Sequence, residues 1–149
     1  MIEIKQIPVL SDNYTYLIID KVTKTCASVD PSISEPIISI IKKENLNLNY
    51  IFNTHHHWDH VGGNLELKKK YDCKIVGNKN DKDRIPGIDI FLNDGESFKL
   101  GDSKCKVLEI SGHTVGHIGI ILKMMMLYFV GIHFSLLVVE DFLRVQHHK

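Results

Sequence analysis

The chain has 149 residues, enough to bury one core in a single domain. Its 18 Lys and Arg balance 18 Asp and Glu, and a formal charge of zero speaks against a nucleic-acid or membrane surface. The 3 cysteines, Cys26, Cys73 and Cys105, are odd in number and far apart, which excludes a disulfide frame and reads as the reduced thiols of a cytoplasmic protein.

The N-terminus alternates Ile2-Glu3-Ile4-Lys5 as a strand does. It lacks the basic start and apolar run of a signal peptide, and no early segment is long enough to span a bilayer. Residues 1–9 read as a strand, Ser11-Asp12-Asn13 as a turn and residues 14–19 as a second strand. Residues 21–24 form a hairpin loop and residues 26–30 a third strand, closing at Asp30-Pro31. Ser34 as cap and Pro36 in the first turn start a helix with an apolar face of Ile37, Ile38, Ile40 and Ile41. Residues 48–53 read as a buried strand.

That strand delivers Thr54-His55-His56-His57-Trp58-Asp59-His60, followed by Val61-Gly62-Gly63-Asn64. Imidazole and carboxylate are the usual ligands of zinc and similar metals. Alternate side chains of an extended segment share a face, so His55 and His57 point the same way and can hold one metal. Asp59 and His60 lie just past them, where a turn can aim both at a second metal. His56 has the opposite parity and reads as a hydrogen-bonding neighbour of the ligands. The glycines let the backbone bend before the next helix.

Residues 64–71 form that helix, with Lys68-Lys69-Lys70 in its last turn, where positive charge suits the helix dipole. Residues 73–77 read as a strand, and residues 78–83 as polar and exposed. Arg84-Ile85-Pro86-Gly87-Ile88-Asp89 is a loop with a Pro-Gly turn. Residues 91–95 and 97–102 read as a hairpin, with turn signals at Asn93-Asp94-Gly95 and Gly101-Asp102. Residues 104–110 alternate as a strand and lead into Ser111-Gly112-His113-Thr114-Val115-Gly116-His117-Ile118-Gly119; residues 118–122 are a further strand. Antiparallel runs with inserted helices suggest an α+β sandwich.

The pattern H-x-H-x-D-H after a strand resembles the metallo-β-lactamase superfamily. The form THHHWDHVGGN is typical of glyoxalase II, the hydroxyacylglutathione hydrolases. Ile7-Pro8-Val9-Leu10-Ser11-Asp12-Asn13-Tyr14 and Arg84-Ile85-Pro86-Gly87-Ile88-Asp89 narrow the likeness to that family, and it runs from Met1 to about Gly131. The resemblance implies an αββα sandwich, incomplete here on the C-terminal side, with metals at one edge of the two sheets. It makes His113 the third ligand of the first metal beside His55 and His57, with Asp59 and His60 on the second metal. His117 is then a hydrogen-bonding or structural residue. Zinc is the implied cofactor, two ions in the intact family site, with iron and manganese as alternatives. Three neutral imidazoles leave a tetrahedral metal one open position, where a bound water falls in pKa from about 15.7 toward about 7. That metal-bound hydroxide is the implied nucleophile, and no separate catalytic side chain is assigned. The implied reaction is hydrolysis of S-D-lactoylglutathione to D-lactate and glutathione, with a small-molecule glutathione thioester as partner. Thiolate leaves readily and needs little acid assistance. The alternatives are another hydrolase of this fold, a sulfur dioxygenase, or an inactive metal-binding remnant.

The likeness breaks after Gly131. The family continues G-D-T-L-F, then G-C-G-R and F-E-G-T, and the Asp of G-D-T bridges the two metals. Here Ile132 stands in that place, and alternation points His133 the other way. A codon reading of the tail accounts for this. With each triplet started one base earlier, Gly131-Ile132-His133 can yield Gly-Asp-Thr. Val138-Val139-Glu140-Asp141 can likewise yield Gly-Cys-Gly-Arg, and Phe142 to Val145 can yield Phe, Glu or Lys, then Gly. Residues 1–131 therefore read as the family domain and residues 132–149 as an out-of-frame tail, in which His147 and His148 have no ligand role. Such a tail deprives the second sheet of partners, exposes an edge and lowers solubility. It also leaves at most one well-held metal, at His55, His57 and His113. Sequencing the transcript across codons 118–149 and beyond checks this: a one-base correction is expected to restore G-D-T and a continuous frame, and an unbroken frame as given would contradict it.

Overall fold

Alternating side chains in Ile2–Val9 (β1) and Asn13–Asp20 (β2) supply two faces to one sheet, and the two strands pair antiparallel from Ile2↔Asp20 to Val9↔Asn13. A computed structural model of the chain describes residues 1–110 and 112–122, with the backbone of strand segments 127–129, 136–140 and 144–146. Thr25–Val29 (β3) continues the antiparallel run beside β2. Helix Glu35–Glu44 (α1) then carries the chain back, so Asn47–Phe52 (β4) lies parallel to β3. Parallel neighbours need such a crossover, because a tight turn reverses direction. A short helix, Trp58–Val61 (α2), and Asn64–Tyr71 (α3) precede Lys74–Asn78 (β5), parallel to β4. Ile90–Leu92 (β6) is parallel to β5 and completes the sheet in the order β1-β2-β3-β4-β5-β6.

Ser97–Leu100 (β7), Ser103–Glu109 (β8) and Ile118–Leu122 (β9) begin a second, antiparallel sheet. Leu127–Phe129 (β10), Leu136–Glu140 (β11) and Arg144–Gln146 (β12) extend it past residue 131. The readings placed on Gly131, Ile132, His133 and residues 141–143 and 147–149 concern residues outside those described.

Two apolar layers hold these parts together. Ile18, Val29, Phe52 and Val76 of the first sheet meet Leu100, Val107, Ile118 and Ile120 of the second. On the opposite face of the first sheet, Leu17, Ile19, Ile51 and Ile75 pack under Ile37 and Ile41 of α1 and Leu67 of α3. Each such side chain contributes roughly 1.5–3 kcal/mol when fully buried. The apolar layers therefore stabilise the fold, and a polar edge can be built without contributing to it. Among the described residues no helix follows β6, so the layers described are helix, sheet and sheet.

Two expectations from the sequence are corrected. Residues 91–95 and 97–102 do not pair as a hairpin: β6 joins β5 and β7 joins β8, so the Asn93-Asp94-Gly95 turn carries the chain from one sheet to the other. Residues 78–83 are not all exposed, since Asn78 and Asp81 are buried. Ser34 occupies the cap position of α1 but makes no side-chain cap; its hydroxyl donates to Glu66 Oε2 in α3. Lys68 reaches Asp89 Oδ1 at 2.7 Å and the Gly87 carbonyl at 2.8 Å, which ties the Arg84–Asp89 loop to α3. The three thiols are buried, and burial pushes Cys26 and Cys105 up to about 12 and Cys73 up to about 11. Thiols in that state are poor nucleophiles. Among the described residues no helix is long and apolar enough to cross a membrane.

Candidate metal centre

The polar edge lies where the parallel strands end. Asp30 follows β3 in the left-handed region (φ 49°), which a short polar side chain tolerates. Asn53, Thr54 and His55 follow β4, and the turn Lys79–Asp81 follows β5. From the second sheet, the segment between β8 and β9 brings His113 and His117. The two sides meet through a backbone bond in which Ile118 N donates to the Thr54 carbonyl at 2.9 Å. Gly62 and Gly63 let the start of α3 press on the Pro31–Ser32 turn: a Cβ at Gly62 would lie 2.4 Å from the Ser32 carbonyl oxygen.

Asp30 organises the imidazoles. Thr54 N donates to Oδ1 at 2.8 Å, and the Thr54 hydroxyl donates to Oδ2 at 2.5 Å. Because that hydroxyl proton is committed to Asp30, the 3.0 Å contact between Thr54 Oγ1 and His55 Nδ1 is made by an Nδ1–H donor. His55 Nε2 then keeps its lone pair. It is buried, and among the described residues it meets no hydrogen-bond donor or acceptor. His60 Nδ1 likewise meets Asp30 Oδ2 at 3.0 Å, which leaves His60 Nε2 as a lone pair 3.4 Å from Asp59 Oδ2. One carboxylate thus selects the tautomer of two imidazoles, the usual device for orienting metal-ligating histidines.

His55, His57 and His113 converge, each offering a nitrogen within 4.8 Å of the others. His57 Nδ1 and His113 Nε2 are 3.2 Å apart. The His55 ring is centred 4.7 Å from His57 and 4.8 Å from His113. Asp30, His55 and His60 form a second such group, but Asp30 is already engaged by Thr54 and His60. Asp59 stands beside His60 on the open side, and Asn13 Nδ2 donates to its Oδ2 and its carbonyl, each at 3.0 Å. The Ser32 hydroxyl donates to the same carbonyl. The donor set therefore fits a cation at His55, His57 and His113: three imidazoles converge, and a buried Nε2 lone pair faces inward with no proton to meet it.

His56 turns away, as its parity implied, and its Nδ1 lies 3.3 Å from Asp81 Oδ1. His117 is buried, with its ring 5.0 Å from His55 and 5.6 Å from His113, and it belongs to neither group of converging ligand atoms. Sequence reasoning missed Asp30, Asn13, Asp81 and the Asn53–Asn64 side-chain pair (2.7 Å) that ties β4 to α3. The available signal was an acidic or amide residue closing an apolar strand, as at Asp30, Asn53 and Asn78.

The sequence model of the metallo-β-lactamase superfamily matches residues 11–131. The chain belongs to the metallo-β-lactamase superfamily. It is 48% identical over 118 residues to the hydroxyacylglutathione hydrolase of Methylococcus capsulatus, covering 79% of this chain and 46% of that protein. It is 49% identical over 116 residues to the protein of the same name from Pelagibacter ubique, covering 78% and 48%. The chain thus spans about half the length of the curated relatives it matches. Among solved structures, the BLEG-1 B3 metallo-β-lactamase superposes with a TM-score of 0.77 at 21% identity, over 86% of this chain and 71% of that one, a likeness of fold. ETHE1 from Myxococcus xanthus gives a TM-score of 0.72 at 26% identity, over 81% and 54%.

In this superfamily member the site separates its imidazoles electrostatically. Burial, then repulsion from His60, His117, His57 and His113, lowers His55 to about 2. Burial and the neighbouring His113 and His56 also lower His57. Burial opposes charge on His60 too, but its bond to Asp30 and the nearby Asp59 outweigh that and raise it. A lowered imidazole contributes stability that is present above its unfolded value near 6.5 and is lost as pH falls. A raised one contributes stability fully present below about 6.5 and lost as pH climbs through its folded value. Between pH 6.5 and 5 the His60 contribution is saturated, so the His55 loss stands unopposed. Urea unfolding of metal-stripped protein is expected to show stability falling over that window, with a shallower fall in His55→Asn. A flat or rising profile would contradict the assignment.

Proposed function

We propose that the chain forms the metal-binding part of a hydroxyacylglutathione hydrolase, acting on S-D-lactoylglutathione to give D-lactate and glutathione. The convergence of His55, His57 and His113 carries the reading. The 48–49% identity to proteins named hydroxyacylglutathione hydrolase supports the substrate class. Zinc is the favoured ion, because three neutral imidazoles with an open position suit it.

A cation bound there would supply Lewis acidity, activating water at neutral pH and polarising a thioester carbonyl. The residues of this chain prepare that site. Asp30 and Thr54 hold the His55 tautomer that presents Nε2 inward. Asp30 holds His60 with Nε2 toward Asp59, the pair proposed for a second ion. Asn13 fixes the Asp59 carboxylate from the start of β2. Burial keeps the inward Nε2 of His55 free of a proton.

A second reading is favoured by one sequence observation: Ile132 stands where the family pattern has a metal-bridging Asp. On that reading the chain binds one ion and turns over no thioester, and the out-of-frame tail explains why. The two are separated by metal content together with hydrolysis of S-D-lactoylglutathione. His57→Ala and His113→Ala are each expected to abolish stoichiometric zinc and to lower any thioesterase rate at least 100-fold, on the scale at which metal activation operates. Wild-type zinc content in both variants would overturn the assignment of these ligands. Two tightly held ions per chain with full turnover would overturn the single-ion reading.

A further inference from the structure

Asp81 is fully buried, yet it belongs to neither group of converging ligand atoms. It ends the turn Lys79–Asp81, whose position is fixed from both sheets. Asn78 Oδ1 accepts from Asn80 N at 2.9 Å. The side-chain amides of Asn78 and Asn80 donate to Glu109 Oε1 at 3.3 and 3.4 Å. Glu109 is the last residue of β8, which leads into the His113 segment.

The Asp81 carboxylate meets three other parts of the chain. Oδ1 pairs with Arg84 of the Arg-Ile-Pro-Gly loop and lies 3.3 Å from His56 Nδ1. Its third neighbour is Gly116, where an added Cβ would fall 2.3 Å from Asp81 Cγ and 2.5 Å from each carboxylate oxygen. The carboxylate therefore lies flat against the backbone of the turn that carries His113. Among the described residues neither oxygen accepts a geometrically good hydrogen bond. Pairing with Arg84 alone would not require burial, because a surface carboxylate three residues away could do the same with less desolvation. Burial brings contact with His56 on one side and Gly116 on the other.

We propose that Asp81 is a positioning residue that sets the separation between the His55–His57 segment and the His113 turn, acting through His56 and Gly116; this rests on the metal-site reading above. His56 lies between two ligands and points to the opposite side. Holding its ring fixes the rotation of the backbone that aims His55 and His57. Gly116 stands three residues after His113, so the carboxylate against it sets how closely that turn approaches. One rigid charge thus gauges both halves of a ligand set drawn from different sheets.

The test uses Asp81→Ala, Gly116→Ala and His56→Ala in the full chain, with two readouts. The first is cobalt(II) affinity by chelator competition. The second is dipolar coupling, in metal-free protein, between spin labels at Trp58→Cys and Val115→Cys, exposed positions flanking the two segments. The native thiols are buried and do not take the label. Asp81→Ala and Gly116→Ala are each expected to weaken cobalt at least tenfold, the scale for a lost ligand-orienting partner. Both should also widen the label separation in apo protein that remains folded by circular dichroism. In a His56→Ala background, the Asp81→Ala effect on cobalt should shrink. Folded variants with wild-type label separation would overturn the proposal. If Asp81→Ala does not fold, Gly116→Ala decides, because it displaces the carboxylate without removing it. If the parent chain binds no cobalt, the metal reading fails alone and the label separation still decides the role of Asp81.

Discussion

The polar edge of this fold depends on one buried carboxylate. Asp30 is 3% exposed, and a charge so placed is costly unless its oxygens are fully occupied. Thr54 supplies a backbone and a hydroxyl donor, and His60 supplies an imidazole donor. Meeting those demands draws the segment after β4 against the end of β3. The same bonds leave His55 with an inward lone pair and turn His60 Nε2 toward Asp59, so one group meets a requirement of stability and orients the imidazoles proposed as ligands.

The arrangement works because the apolar layers are elsewhere. Phe52 is wholly buried between the sheets, stacked on Tyr50 and edge-on to Phe98 at 4.5 Å, only three residues before His55. The core thus ends abruptly and the His55–His60 segment begins on a rigid base. The second sheet delivers His113 from the far side of that core, and the Ile118–Thr54 backbone bond sets the crossing point. Imidazoles from two sheets joined by a packed interior are held with little freedom, which suits the metal site proposed for them.

Much of this was legible in the sequence, for local reasons. Period-two alternation marked β1 and β2, and the glycine pair marked the start of α3 at Asn64. The spacing of His55 and His57 marked a shared face. What was illegible depends on partners distant along the chain. Asp30 looked like a strand ending because its partners lie 24 and 30 residues on. The polar run at 78–83 looked like solvated surface because the partners that bury Asp81, His56 and Gly116, come from other segments. The Asn93-Asp94-Gly95 turn carried a hairpin signal, but a turn signal does not say which sheet the next strand joins.

X-ray absorption of zinc-loaded protein tests the central claim most directly. The account predicts a first shell dominated by imidazole nitrogen, three per ion at about 2.0–2.1 Å, with the multiple scattering of histidine rings. That signal should disappear in His113→Ala. A shell of oxygen or sulfur without histidine scattering, or a spectrum unchanged in His113→Ala, would contradict the assignment of His55, His57 and His113 as the metal site.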